Sequence, residues 1–503
     1  MGDAMERHRY SLLDLPNEML TEIFSQLCHH CHPPEPSWPL PHKPSLAALC
    51  RVSKHTSSLA TPILYHSLDG GRVFMFETLR FLNTVFKRPD LAAHVRVFAP
   101  FVRRRCVKEI TPELIKVLND TCRLLRVNPR SYDPLRRELC IAVFLKELAL
   151  HAPALTELTL VPIQLATYSE EQDALRSLAT DPTRPLRNLK KLDLYHETES
   201  ESLFALGDLN TDLLLAAAAN NLESLELNGF HLVSSSPSRL PVLPNVREVT
   251  LTLCSLDSGN LRNLVKILPN LERFSYTSKG EPSIPTTTAT DALTDDGITT
   301  EEEFNPAEAT IQLYRRRETL KHISLGMPWS SHQWFMFGTE EITRSYAGFG
   351  TLEFLELHSS NIFAHLVNHK HGASQSFILD QSFHSGVSLE EKPQPLPLPL
   401  HLSSDNHGHG GILVELIPPS LMHLIIRGPC PYHEAAALAS AATVGGRFPQ
   451  LRIVSFEAVV PAILREHQMY NMWTMDRECW ANLKGLVSSV EEEGGGLTFE
   501  WLV

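Results

Sequence analysis

The residue types best suited to binding a transition metal are crowded into one short segment, Cys28-His29-His30-Cys31-His32. Thiolate sulfur and imidazole nitrogen are the ligands that zinc prefers, and a structural zinc site takes about four of them in a tetrahedron. Such sites usually carry two ligand pairs separated by a folded spacer, and no second C-x-x-C pair accompanies this one. We therefore interpret the segment as a helix end running into a loop. No metal and no other cofactor is predicted, here or at His365, His369 and His371.

Sequence signals for catalysis are weak. The run His409-Gly410-Gly411 is similar to an esterase oxyanion loop, but that chemistry also needs a serine on a G-x-S-x-G turn. No such turn occurs, and neither does a Walker A or G-x-G-x-x-G motif. The arginine runs at 103–105 and 315–317 lack interleaved aromatic residues, which is more typical of a solvated face than of a phosphate site. The sequence therefore predicts that the protein is not an enzyme.

The composition limits the classes of partner and the cellular compartment that we expect for the protein. The 503 residues carry 45 Lys and Arg against 58 Asp and Glu, a net charge of −13, which argues against nucleic-acid and membrane-surface binding. No apolar run approaches the roughly 20 residues of a membrane span, and the first residues lack the apolar region of a signal peptide. The nine scattered cysteines suit a reducing environment. We expect an intracellular protein, cytoplasmic or nuclear.

Residues 10–68 have the pattern of three short helices. Pro16 is well placed as a first helical residue, with Asp14 before it as a cap, and apolar residues from Leu20 to Leu27 recur at helical spacing. A second helix is predicted from Ser45, and a third from Ser53 to Thr61 before Pro62. Three short helices bury little area, so their surplus apolar surface is a candidate partner surface.

These residues carry a resemblance. Residues 15–27 (LPNEMLTEIFSQL) and 45–54 (SLAALCRVSK) resemble an F-box, and 59–68 (LATPILYHSL) is similar to the close of F-boxes in fungal proteins. The family usually joins its first two helices by a few residues, whereas a proline-rich insertion at 29–44 intervenes here. The resemblance implies docking onto a Skp adaptor and, through it, a cullin. Carried over by position, the adaptor-binding residues are Leu15, Pro16, Ile23, Leu27, Leu46, Leu49 and Val52.

From residue 155 onward the pattern L-x-x-L-x-L recurs. Its final L-x-L predicts a short strand with one buried face. Neighbouring copies lie 24 and 25 residues apart in the clearest part, and the array resembles the irregular leucine-rich repeats found behind many F-boxes. Amphipathic segments between the copies supply helices. The copies begin at Leu155, Leu189, Leu222 and Val246 and, more weakly, at Leu271, Leu320, Leu352, Leu421 and Leu451.

The predicted fold class is therefore α/β: an N-terminal three-helix F-box followed by an irregular leucine-rich-repeat β–α solenoid, or horseshoe. The predicted domains are an F-box at 10–68, a helical bridging segment at 69–150 and a repeat domain at 151–503. Two stretches are predicted to be flexible insertions in that domain, the acidic, threonine-rich 279–307 and the proline-rich 385–411. The end of the chain, Leu497–Val503, is predicted to be a last strand or cap.

Residues between the leucines of each copy point away from the core, onto the concave face of the predicted sheet. Exposed aromatic residues among charges are typical of interface anchors, although an ordinary solvated face has the same pattern. The candidate target-binding residues are Tyr195, Glu226, Glu248, Arg273, Phe354, Glu356, His358 and Arg427.

The resemblance implies a substrate-recognition subunit of a Skp–cullin–F-box ubiquitin ligase. Its F-box would bind the Skp adaptor, and its repeat domain would hold a target protein for ubiquitination by chemistry done elsewhere. The alternative is a protein-binding scaffold outside the ligase, with a vestigial F-box whose insertion impedes adaptor docking.

Overall fold

The structure, a computed structural model, forms two compact units, Met1–Glu226 with Ser238–Asn245 and Leu227–Pro237 with Val246–Val503. Both predicted domain boundaries, after residues 68 and 150, fall inside the first unit. Each unit is mixed α/β. The residues described are 12–28, 30–31, 43–69, 75–99, 112–125, 141–160, 176–178, 180, 186–195, 211–232, 240–278, 306–326, 345–358, 362, 411–427, 430, 432–443, 446–457 and 498–502.

The first unit opens with the three predicted helices, α1 (Asn17–Ser25), α2 (Lys43–Leu49) and α3 (Lys54–Leu64). Pro16 is the residue before α1 rather than its first residue, and Asp14 ends a short 3-10 turn instead of capping the helix. Ser53 caps α3 through a reciprocal capping box with Thr56. The helix runs past Pro62, because Tyr65 and His66 still donate hydrogen bonds to Thr61 and Ile63 and complete its last turn.

The rest of the first unit alternates helices with short parallel strands. Its strands lie side by side in chain order, and only the first three residues of β5 belong to this unit. The strands are β1 (Ser67–Asp69), β2 (Val97–Ala99), β3 (Glu157–Leu160), β4 (Lys191–Tyr195) and β5 (Ser224–Asn228). The helices are α4 (Met75–Lys87), α5 (Pro89–Ala92), α6 (Pro112–Leu125), α7 (Ile141–His151) and α8 (Thr211–Ala218).

The segment predicted to be a helical bridge, 69–150, thus also contributes a strand. β2 pairs in parallel with both β1 and β3. A strand of three residues is too short to show the alternation of buried and exposed positions by which strands are recognised in a sequence. The parallel sheet therefore begins before the first predicted repeat.

The second unit continues the strand–helix pattern in chain order. Strands β7 to β13 each pair in parallel with the next, while the two-residue β6 pairs with β7. The strands are β6 (His231–Leu232), β7 (Glu248–Leu256), β8 (Arg273–Ser278), β9 (His322–Gly326), β10 (Phe354–His358), β11 (His423–Arg427), β12 (Ile453–Glu457) and β13 (Thr498–Leu502). The helices are α9 (Ser258–Ile267), α10 (Pro306–Leu313), α11 (Ile412–Leu416) and α12 (Tyr432–Thr443).

One hydrogen-bond pattern repeats at the entry of successive strands. The two residues that lead into a strand both donate to a single carbonyl at the entry of the strand before it, at 2.8–3.2 Å in the second unit. Within the described residues the sheet is parallel and is not closed on itself, which is consistent with a solenoid-like α/β arrangement. The accepting residues there are Arg247, Glu272, Lys321, Glu353 and Met422.

The apolar residues of the L-x-x-L-x-L pattern form the hydrophobic core. Val249, Leu251, Phe274, Ile323 and Leu355 are fully buried, and the residues between them are mostly half-buried or exposed, as the period of a strand requires. All the weaker sequence copies from Leu271 to Leu451 lead into strands, and the predicted last strand is present as β13.

A bulge in β7 turns Cys254 inward. Leu253 has a left-handed backbone with φ 52°, and the register to β8 shifts between Thr252 and Cys254. The Cys254 thiol is fully buried and donates a hydrogen bond to the Leu227 carbonyl over 3.3 Å. The thiol thus pairs with a buried backbone carbonyl of β5.

The predicted insertions lie almost wholly outside the described residues. Only their edges are described: Pro306 and Ala307 begin α10, and Gly411 precedes α11. Of the insertion between α1 and α2, His30 and Cys31 are described at one end and Lys43 and Pro44 at the other. Across the described ranges, no helix is long and apolar enough to cross a bilayer.

Candidate interaction surfaces

The helices α1–α3 bury one side and leave large apolar side chains on the other. Leu20 and Phe24 of α1 pack with Leu46, Ala60 and Ile63 into a small core. Met19 and Ile23 lie four residues apart on a different face of α1 and are exposed, as is Val52 between α2 and α3. Large apolar side chains that stay exposed to solvent on three such short helices are typical of a surface that binds a partner.

The predicted adaptor-binding residues divide between surface and core. Pro16, Ile23 and Val52 are exposed, so they are free to meet a partner. Leu15, Leu27 and Leu49 are half-buried against the small core, and Leu46, at 1% exposure, belongs to it. Leu46, which the resemblance assigns to adaptor binding, is therefore a packing residue in the fold. Met19 was missed, although its spacing from Ile23 could have identified it.

The strand face of the first unit is acidic and internally paired. Lys191 of β4 forms an ion pair with Glu226 of β5 over 3.3 Å, and Thr159 of β3 donates to Asp193 over 3.4 Å. Burial, helped by the neighbouring Glu226 charge, raises the pKa of Asp193 to about 6. Tyr195, at the end of β4, is half-buried. Of the candidate target-binding residues, Tyr195 and Glu226 lie on this face.

An aromatic row crosses the strands of the second unit. The register places Arg273, His322, Phe354 and His423 side by side on β8 to β11. The Phe354 ring stacks on His322 with centroids 3.9 Å apart and meets His423 edge-on at 5.0 Å. Burial, and then the Arg273 charge, lower the pKa of His322 and favour its neutral form. Glu248 of β7 pairs with Arg273 in register and extends the row.

A charged row runs beside the aromatic one. Glu356 accepts hydrogen bonds from Ser324 over 2.8 Å and from the Arg427 guanidinium, which also forms an ion pair with it. Both oxygens of this carboxylate are thus engaged by neighbouring strands. The side chains of this surface are therefore already ordered, and such order would lower the entropic cost of binding.

His358 does not belong to this surface. It was predicted to face outward, but it is 4% exposed, because the last two residues of β10 are both buried where the strand ends. Burial, and then the Arg427 charge, lower the pKa of His358 to about 4. We therefore remove it from the candidate target-binding residues.

Buried neutral His358 predicts an acid-sensitive second unit. Its pKa in the fold lies below that of an unfolded histidine, about 6.5, so its contribution to stability is complete above that pH. The contribution is lost as pH falls from about 6.5 towards 4, by roughly 3 kcal/mol in all. Hydrogen exchange of the β10 peptide should therefore accelerate on acidification more than the change in intrinsic exchange rate explains. The His358→Gln variant should flatten that dependence, and an equal dependence in both proteins would contradict the prediction.

The structure also gathers the histidines and cysteines that follow α1. Cys28, His30 and Cys31 meet His66, which lies between α3 and β1. Burial, and then Cys28, raise the pKa of Cys31 to about 11, and burial lowers that of His66 to about 4. Sequence reasoning sought a second ligand pair by spacing and missed His66, because only the fold brings it close. His29 and His32 lie outside the described residues.

Two surfaces and one side-chain cluster thus stand out within the described ranges: the apolar face of α1–α3, the aromatic row with its charged neighbour, and the group around His66. No protein-family model matches the chain, and no curated protein matches it either. Its function is therefore inferred from its own residues.

Proposed function

We propose that the chain is the substrate-recognition subunit of a Skp–cullin–F-box ubiquitin ligase. Helices α1–α3 bind the Skp adaptor, and the strand face bearing the aromatic row binds a target protein. The supporting observation is that Pro16, Ile23 and Val52, which the F-box resemblance assigns to the adaptor, are exposed although two of them are large apolar residues. The chain performs no chemistry of its own in this role, and it acts by raising the local concentration of a target lysine.

The energetics of the adaptor surface fit a stable complex. Removing an exposed Ile or Val side chain from water is worth about 1.5–3 kcal/mol when burial is complete. Ile23 and Val52, with the neighbouring Met19, therefore supply the apolar centre that an interface needs. Leu15, Leu27 and Leu49 support these residues from below through the small core.

The aromatic row fits the recognition of a protein segment. Stacked rings are rigid and lose little side-chain entropy on binding, and aromatic residues are enriched at interface hot spots. Arg273 and Glu248 lie in register beside the rings and offer one charge of each sign. We place the target contact at Phe354, with His322 and His423 as its flanks.

A second candidate function is favoured by one observation. α1 ends at Ser25 and α2 begins only at Lys43, and the connection between them is proline-rich. A connection of this length joins the two helices that carry or flank the residues assigned to the adaptor. In this alternative the chain is a protein-binding scaffold outside the ligase. Its helical head, which consists of helices α1–α3, does not bind an adaptor.

Co-expression of the full chain with a Skp adaptor, followed by size-exclusion chromatography, separates the two candidates. The ligase role predicts one stoichiometric complex. A folded chain that elutes apart from the free adaptor contradicts that role and favours the scaffold. Replacing residues 32–42 by a short Gly-Ser linker then shows whether the insertion is the obstacle, because removing an obstacle should restore the complex.

A further inference from the structure

Four side chains with metal-binding atoms converge at one point of the first unit. Cys28, His30 and Cys31 lie in the loop after α1, and His66 joins α3 to β1. One ligand atom from each residue lies within 4.8 Å of all the others. Cys28 is buried, and the other three are half-buried, so the cluster is not a chance meeting of mobile surface groups.

The backbone holds both halves of the cluster in place. The Cys31 N–H donates to the Cys28 carbonyl over 3.1 Å, which closes a tight turn and directs both cysteines from one loop. The His66 carbonyl accepts hydrogen bonds from Arg96 and Val97 at the entry of β2, over 2.8 and 3.1 Å. The loop after α1 thus faces His66, whose backbone is held by its hydrogen bonds to the entry of β2.

The distances are close to those of a tetrahedral metal site. The Cys31 sulfur lies 3.2 Å from His66 Nδ1 and 3.9 Å from His30 Nδ1. Zinc–sulfur bonds of 2.3 Å and zinc–nitrogen bonds of 2.0–2.1 Å put tetrahedral ligand atoms about 3.3–3.8 Å apart. The two imidazole rings are edge-on, with centroids 4.9 Å apart, so they approach from different directions, as two ligands must.

A carboxylate supports one of the histidines from behind. Glu157, the first residue of β3, lies 3.4 Å from His30 Nε2. A metal-bound histidine usually donates its other ring N–H to a carboxylate, which fixes the tautomer and the orientation of the ring. Here that arrangement leaves Nδ1 of His30 facing the Cys31 sulfur, where a metal would lie.

We propose that Cys28, His30, Cys31 and His66 form a zinc site of the Cys2His2 type, with Glu157 as the positioning residue for His30. Two thiolates balance the charge of Zn²⁺, and four protein ligands fill a tetrahedron, so the site is structural. Metal bound there ties the end of α1 to the α3–β1 junction and contributes directly to the stability of the helical head. The site does not depend on the proposed ligase role.

The test uses the full chain purified under reducing conditions. After removal of metal with a chelator, the protein is loaded with ZnCl₂, dialysed and analysed for zinc, and a second sample is titrated with CoCl₂. We expect one zinc per chain and the visible absorption of tetrahedral cobalt with thiolate ligands. Zinc at the background level, or cobalt bands typical of octahedral oxygen ligands, would overturn the proposal without any variant having to fold.

Variants then assign the ligands. The changes Cys31→Ser and His66→Ala should each weaken zinc binding by at least the ~10–100-fold typical of losing a supporting contact, and Glu157→Gln should fall within that range. Two matched controls, Cys50→Ser and His55→Ala, remove a half-buried cysteine and an exposed histidine of the same helical head and should leave zinc affinity unchanged. Equal zinc retention by the Cys31 and His66 variants and the controls would place the metal elsewhere and refute the assignment.

Discussion

Replacing Ile23 and Val52 together by aspartate is expected to abolish adaptor binding while the helical head stays folded. The two side chains are 39% and 64% exposed, so a polar replacement removes little packing from the folded chain. In the proposed complex the same positions would be buried, and an unpaired carboxylate there would cost several kcal/mol. Because each 1.4 kcal/mol changes affinity tenfold, the adaptor affinity should fall by at least about 100-fold.

The measurement is titration of the purified chain with the Skp adaptor, with circular dichroism as the check on folding. Thr21→Asp is the matched control, because it adds the same charge to an exposed position of α1 about 200° around the helix from Ile23. Adaptor affinity should survive that change. If the double variant and the control bind equally well, Ile23 and Val52 do not contact the adaptor.

Repeats that bury leucine at period two could be recognised from the sequence. Leu251, Leu355 and Leu424 all occupy the buried positions that the L-x-x-L-x-L pattern assigned to them. A local pattern is sufficient here because each strand obtains its buried face from its own residues and pairs with its neighbours in the chain. β1 and β2 escaped detection since three residues carry no measurable period.

Contacts between residues far apart in the chain decided which site residues could not be predicted from the sequence. His66 joins Cys28, His30 and Cys31 only because α3 returns the chain to the end of α1. The spacing of metal ligands along a sequence cannot predict a contact of this kind. His358 was assigned outward by alternation, but alternation breaks at the end of β10, where Leu357 and His358 are both buried. Leu46 and Leu49 lie three residues apart, so their spacing alone could not show that Leu46 is the one buried in the small core.

Replacing Phe274 by alanine should lower the free energy of unfolding of the second unit by about 3–5 kcal/mol. Phe274 is fully buried in β8, which pairs with β7 on one side and β9 on the other. Truncation removes the ring and leaves a cavity that the rigid backbone of three strands cannot close. Denaturant unfolding of the full chain should show the loss, and the neighbouring Ser275→Ala, on the half-buried opposite face, should change stability by much less.

The distribution of that loss distinguishes a stack of repeats from a single cooperative core. In a stack each repeat contacts only its neighbours, so hydrogen exchange should accelerate most in β7, β8 and β9 and least in β12 and β13. Equal acceleration in all seven strands from β7 to β13 would show that the second unit unfolds as one body, despite its chain-order pairing. The first result would mean that Phe354 on β10 and its histidine neighbours on β9 and β11 are supported by their own and the adjacent strands, so the proposed target-binding face could change while β12 and β13 stay folded.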